Sequence, residues 1–209
     1  MGTPAADPDG AWESLSVAEI EELFRDIAVP WWIAGGHAID LAAGWTTRDH
    51  ADIDVLILRR DHLAVHEHLS TWDCYAADPP GSLRRWSTGE PLPDHVHDVW
   101  SRADPDDRWR FQLMVDESDG DGWYSRRDRR ITRRLTDIGA TSADGVPYLR
   151  PEIQLFYKSR GRRPKDEADL ITALPLLDAG ATGWLREAIR LTAGDDHPWL
   201  ARIAGAGPT

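Results

Sequence analysis

The stretch "WWIAGGHAIDLAAGWTTRDHADIDVLIL", Trp31 to Leu58, gathers the residues of this chain best suited to chemistry. Asp52 and Asp54 stand two apart at the head of the apolar run "DIDVLIL". In a strand, positions i and i+2 share a face and lie about 6.6 Å apart. Two carboxylates at that spacing repel by roughly 2.5 kcal/mol at an effective dielectric near 20. A divalent cation removes this cost. Mg²⁺ takes one or two carboxylates and completes its shell with water and substrate phosphates. The pair therefore reads as a clamp for a metal-bound nucleotide. The plain alternative is two solvated acids at a strand end. The diglycine Gly35-Gly36 shifts the balance toward the clamp. It follows an apolar run and opens a helical pattern. Backbone amides at a helix N-terminus favour phosphate, and glycine lets the backbone approach it closely.

The elements that must position these residues are legible from periodicity and punctuation. Ser16 and Glu19 form a capping box, with Leu15 and Ile20 as its hydrophobic staple. Apolar residues then recur at helical spacing up to Ile27. Trp31 to Ala34 predicts a buried strand, His37 to Ala43 a short helix closed by Gly44, and Asp52 to Leu58 a second strand. Asp61 to Leu69 predicts another helix. Residues 77–94 read as a loop-rich insertion. Val96 to Arg102 and Trp109 to Val115 read as a hairpin across "ADPDD". After residue 140 the pattern is helical, with Pro151 and Pro164 at first helical positions, a further helix over Ala181 to Thr192, and a short terminal turn. The order predicts an α+β fold: a mixed sheet flanked by helices, with a C-terminal helical region. Residues 1–13 read as a flexible tail, 14–140 as the domain carrying the site, and 141–209 as helices packed on it.

The segment "GGHAIDLAAGWTTRDHADIDVLI" resembles the GG(x)nDxD motif of the DNA polymerase β-like nucleotidyltransferases. It is most similar to the small antibiotic-modifying branch, the aminoglycoside 2''- and lincosamide nucleotidyltransferases. Residues 31–58 carry the resemblance, with a weaker likeness through "GVPYLRPEIQLFYKSRGRRPKDEAD". It implies one or two Mg²⁺ ions on Asp52 and Asp54, a nucleoside triphosphate as co-substrate, and transfer of a nucleoside monophosphate, AMP from ATP, to a hydroxyl of a small acceptor. An aminoglycoside-type antibiotic is such an acceptor. The resemblance also implies a third carboxylate on a neighbouring strand, as metal ligand or general base. Asp116 shares a strand face with Gln112 and is the first choice, Asp98 the second and Glu117 the third. If the family's acid aligns with Gln112, the triad is broken. Two rival readings stand beside this one. One is a toxin–antitoxin-type nucleotidyltransferase that modifies protein or RNA. The other is a non-catalytic binding protein that keeps the scaffold.

Several cations are candidates for the phosphates. Lys158 and Lys165 are the only lysines among 24 basic residues, and a compact ammonium suits a phosphate. Arg48 precedes the D-x-D strand, and His37 follows the glycines. The arginine cluster of "SRRDRRITRR" could grip a polyanion, although a salt-bridged surface is the simpler reading. His62 with His66, and His95 with His97, have ligand-like spacings but lack further ligands for zinc. The net charge of −12 argues against nucleic acid as a partner and points to a cationic acceptor. No apolar run reaches the ~20 residues of a membrane span. The lone Cys74 excludes an internal disulfide and, with no leader-like N-terminus, fits a cytoplasmic protein.

Overall fold

The computed structural model describes residues 11–205. Most of the expected tail lies outside that range. Its end is packed: Trp12 sits edge-on to Trp100, ring centroids 5.0 Å apart, and bridges Trp109.

The first helix, α1 (Val17–Phe24), starts on the expected capping box. Ser16 Oγ accepts from Glu19 N at 3.2 Å, and the Glu19 carboxylate accepts from Ser16 N at 2.7 Å. Next come β1 (Trp31–Ala34), α2 (Gly35–Ala43), β2 (Asp54–Leu58) and α3 (His62–His68). Gly44 closes α2 at φ 83°, a left-handed conformation that favours glycine. The strands β3 (Asp73–Ala77), β4 (Leu83–Arg85), β5 (Asp98–Arg102) and β6 (Phe111–Asp119) follow. After them run β7 (Gly122–Ser125), β8 (Asp128–Arg134), β9 (Gly139–Thr141) and β10 (Pro147–Leu149). The chain ends in helices α4 (Pro151–Ser159), α5 (Pro164–Ala173), α6 (Ala179–Ala193) and α7 (Pro198–Gly205). Pro151 and Pro164 open α4 and α5 as expected, where a missing N–H costs nothing.

The described residues form a mixed sheet in the order β4-β3-β5-β6-β2-β1-β10-β9, which β7 and β8 extend from the far half of β6. β2 is antiparallel to β1 and parallel to β6, and β5 is antiparallel to β6. Alternation along each strand sends residues to two cores. Ile53, Val55, Ile57, Leu113 and Val115 pack with Ile20, Phe24 and Val65 of α1 and α3. Leu56, Leu58 and Met114 pack with Ile153, Leu170, Leu185 and Ile189 of the C-terminal helices. Ile53 and Val55, on either side of Asp54, are wholly buried. Each contributes about 1.5–3 kcal/mol, enough together to hold the two acids on one side against their repulsion. Asp54, Gln112 and Met114 thus face the C-terminal helices.

The loop-rich insertion of residues 77–94 contains one short strand, β4, at the sheet edge. The arginine cluster forms the β7–β8 turn and β8 itself, salt-bridged in part as expected, with Ile131 buried among its exposed arginines. The terminal turn is a full helix, α7, anchored by the buried Trp199 and Ile203. Among the described residues, no helix is long and apolar enough to cross a membrane.

Candidate functional site

The first residue of α2 takes an unusual backbone. Gly35 has φ +67°, and a Cβ there would lie 2.1 Å from Asp54 Oδ2. Only glycine permits that conformation cheaply, and its bare Cα lets the Asp54 carboxylate lie against the diglycine. A Cβ on Gly36 would meet His50 Nδ1 at 2.2 Å and an Arg48 guanidinium nitrogen at 2.5 Å. The diglycine thus serves as a surface on which Asp54, Arg48 and His50 converge. The Gly35 amide is already used: it donates to Gln154 Oε1 of α4 at 2.9 Å, tying the site to the C-terminal helices.

Asp52 and Asp54 line one cavity of about 590 Å³ together with Gly35, Gly36 and Gln112. Burial, then the neighbouring Asp52 carboxylate, push Asp54 up to about 7. Such a carboxylate has too little positive charge beside it to stay ionised easily, the condition a bound cation relieves. The same wall carries an excess of cations. Arg48, Lys158 and Lys165 reach the cavity, and so do Arg126, Arg127, Arg160 and Arg163.

Asp169, buried in α5, organises part of this wall. Arg48 grips it through Nε to Oδ1 at 2.8 Å and a terminal nitrogen to Oδ2 at 2.9 Å, and Lys158 Nζ lies 2.7 Å from the same Oδ2. Although burial raises it, these partners hold Asp169 below the ordinary carboxylate range. Asp166 does the same for Arg163, at 2.9 Å. Asp166 also caps α5, its Oδ2 accepting from Arg163 N at 2.9 Å. Both acids are buried and hold the cationic wall in place. Of the arginine cluster, Arg126 and Arg127 enter the cavity. Arg129 lies over Tyr124, Arg130 pairs with Asp128, and Arg133 pairs with Glu152.

The three candidates for a third carboxylate take different places. Gln112, not an acid, stands opposite Asp54 across the β2–β6 ladder, whereas Asp116 stands opposite Leu58. Four residues of strand separate the two positions by about 13 Å. Asp116 is fully buried, and both its oxygens accept from the Tyr157 hydroxyl at 2.8 and 2.7 Å, one of them also from the Trp123 indole at 2.9 Å. It anchors Tyr157 beneath the cavity and does not meet the Asp52–Asp54 pair. Glu117 turns to the other face and pairs with Arg59 at 2.5 Å. Asp98, on the adjacent β5, accepts from Gln112 Nε2 at 2.8 Å and lies 3.7 Å from Arg126. Its charge reaches Asp54 and adds to the upward push there. Strand alternation alone favoured Asp116. The signal that separates the two acids is the antiparallel register of β5, visible only once the strands pair.

His37 is not part of the cavity lining; its ring lies 4.2 Å from that of His50. His62 bonds the Arg59 carbonyl and His66 stacks on Trp86, ring centroids 3.8 Å apart. His95 pairs with Asp78 and His97 lies against Arg59.

The family model of the aminoglycoside-2''-adenylyltransferases matches residues 16–79, from the first capping box to beyond the D-x-D strand. A search of curated proteins finds no significant match. Among solved structures, the lincosamide antibiotic adenylyltransferase LnuA, lincomycin-bound, superposes with a TM-score of 0.55 at 15% identity, over 79% of this chain and 100% of LnuA. The solution structure of the antibiotic-resistance factor ANT(2'')-Ia superposes with a TM-score of 0.53 at 18% identity, over 84% of this chain and 89% of that one. In sequence over residues 16–79, and in fold over most of its length, the chain is similar to the antibiotic-modifying branch of the DNA polymerase β-like nucleotidyltransferases.

Proposed function

We propose that the protein is a metal-dependent nucleotidyltransferase that transfers a nucleoside monophosphate, AMP from ATP, to a hydroxyl of a small acceptor. One observation carries the reading: the D-x-D pair and the diglycine share a single cavity whose other walls are cationic, in a chain of net charge −12. The oxygen donors fit a hard divalent cation, and the raised Asp54 is the carboxylate such an ion would ionise. Asp52 and Asp54 would hold Mg²⁺, which when bound neutralises charge on the transferred phosphoryl group and the leaving pyrophosphate.

The chain's own groups supply the rest. Gly35 and Gly36 keep the cavity floor open beside Asp54. Lys158 and Arg48, fixed by Asp169, present cations to the phosphates, and Lys165 and Arg163 do so from the start of α5. Arg126 and Arg127 bring the same charge from the β7–β8 turn. Asp98, held by Gln112 at 2.8 Å, would take the proton of the attacking hydroxyl in this reading, the role the sequence assigned first to Asp116. The non-catalytic scaffold reading gains weight from Asp116 lying away from Asp52 and Asp54; against it stands Asp98 on β5, whose charge reaches Asp54.

The expected preference for a cationic acceptor rested on net charge alone, and the cavity wall has the opposite sign. Hydroxyl-bearing acceptors with little positive charge suit it better than an aminoglycoside. The test is incubation with ATP, Mg²⁺ and a panel of aminoglycosides, lincosamides and neutral polyols, read by mass spectrometry. A nucleotidylated product supports the reading. Calorimetry that detects no binding of Mg²⁺-nucleotide overturns it.

A further inference from the structure

We propose that His37, Asp40 and His50 form a second metal site, for zinc or a similar transition-metal ion, distinct from the Asp52–Asp54 clamp. One ligand atom from each of the three lies within 4.8 Å of the other two, and among the described residues no other group of histidines, cysteines and acids converges this way. Two imidazoles and a carboxylate form a ligand set that suits Zn²⁺, with water filling a fourth position.

Local structure builds the site. His37 and Asp40 are three residues apart on α2 and share a face. His50 arrives from the loop before β2, and the missing Cβ of Gly36 is what admits its ring. The Asp40 carboxylate is already oriented: Thr47 N and Oγ1 donate to Oδ1 at 3.0 and 2.6 Å, which leaves Oδ2 toward His50 Nε2 at 2.7 Å. Such outer hydrogen bonds are how proteins aim metal ligands. Among the described residues, no hydrogen bond reaches either ring nitrogen of His37, although its ring lies against that of His50. A half-buried imidazole with an unused lone pair beside a second imidazole is otherwise unexplained. Zn–N and Zn–O bonds of about 2.0–2.2 Å set neighbouring ligand atoms roughly 3.3–3.6 Å apart. Reaching that spacing draws the His37 nitrogen inward from within 4.8 Å and parts His50 Nε2 and Asp40 Oδ2 from 2.7 Å. On binding, the ion takes the place of the proton between His50 Nε2 and Asp40 Oδ2, and that proton moves to His50 Nδ1 or to solvent.

The site joins the first turn of α2 to the loop that carries Arg48 and Asp52, both in the cavity wall. Its ion would fix that loop rather than take part in transfer.

The experiment uses the full chain, stripped of metal by chelation and titrated with Co²⁺, whose low-symmetry, nitrogen-ligated complexes absorb far more strongly in the visible than octahedral ones. The expected result is one equivalent with intense absorption, displaced by Zn²⁺. In His37→Ala and His37→Gln, folded by circular dichroism, affinity falls by more than about tenfold. The double variant Asp52→Asn/Asp54→Asn keeps the signal. Absence of the intense absorption in the wild type, its persistence in both His37 variants, or its loss in the double aspartate variant overturns the proposal. None of these readouts depends on transferase activity, so this site and the proposed function can fail separately.

Discussion

At the scale of single residues, the site turns on carboxylates that differ in surroundings rather than in type. Asp54 is pushed up to about 7 by burial and by Asp52, against an ordinary value of 3.8. Its folded state therefore holds a proton more tightly than its unfolded state. That contribution to stability is full below about pH 4 and is lost as pH rises through about 7, leaving the metal-free protein weaker by at most about 4 kcal/mol. Asp54→Asn removes the charge and keeps the shape. In chelator, the variant should melt above the wild type at pH 8, and the gap should close by pH 5, where Asp54 is already neutral. The same change should abolish Mg²⁺-nucleotide binding. Equal melting temperatures at pH 8 would refute the account of Asp54. Asp98 and Asp116 separate by a different measurement. Asp98→Asn should lower kcat by about 10²–10⁴-fold, the usual worth of a general base, with nucleotide affinity little changed. Asp116→Asn should act first on stability, because it disturbs the buried bonds to Tyr157 and Trp123. A kcat loss larger for Asp116→Asn than for Asp98→Asn would restore the sequence's first choice.

At the scale of elements, the β1–α2 turn is a tightly constrained junction. Gly35→Ala meets two obstacles at once: a left-handed φ and a contact of 2.1 Å with the Asp54 side chain. Strain of this kind costs about 1–3 kcal/mol. Relief requires Asp54 to leave the diglycine, so transfer should fall by more than about a hundredfold while the melting temperature drops by several degrees. Gly36→Ala meets only the ends of the His50 and Arg48 side chains, which can swing. It should leave stability nearly unchanged and raise the KM for nucleotide as Arg48 is displaced. Similar stability losses in the two variants would show that the turn, not the side chains on it, sets the cost. This junction was legible in the sequence because its signals are local: an apolar strand, two glycines, a helical period and a closing Gly44. The capping box at Ser16 and the prolines opening α4 and α5 were legible for the same reason. What escaped was non-local. β8 hides in the arginine cluster because its charged side chains face solvent and neighbouring rings while only Ile131 is buried. The places of Asp98 and Asp116 relative to Asp54 depend on which strand lies beside which. The grip of Asp169 on Arg48 joins residues 121 positions apart. No local pattern announces such contacts.

At the scale of the whole molecule, charge is divided between surface and site. The chain carries −12 overall, yet cations outnumber acids around the cavity, and Asp166 and Asp169 are committed to holding those cations in place. A distant net charge is screened beyond about 10 Å at moderate salt, so an acceptor entering the cavity meets the local wall. With Asp52 and Asp54 engaged by a metal ion, the remaining acid of the cavity lining among the described residues is Asp166, which is tied to Arg163. Among acceptors of similar size and hydroxyl content, a neutral one should therefore have a kcat/KM at least about tenfold above a polycationic one. The gap should narrow as salt rises from about 0.05 to about 0.5 M, because screening weakens repulsion by the wall. Initial rates across a charge series at two ionic strengths measure this. A polycation that is the better substrate at low salt, and loses its advantage at high salt, would mean that the outer acidic surface governs encounter and that the cavity wall does not select the acceptor.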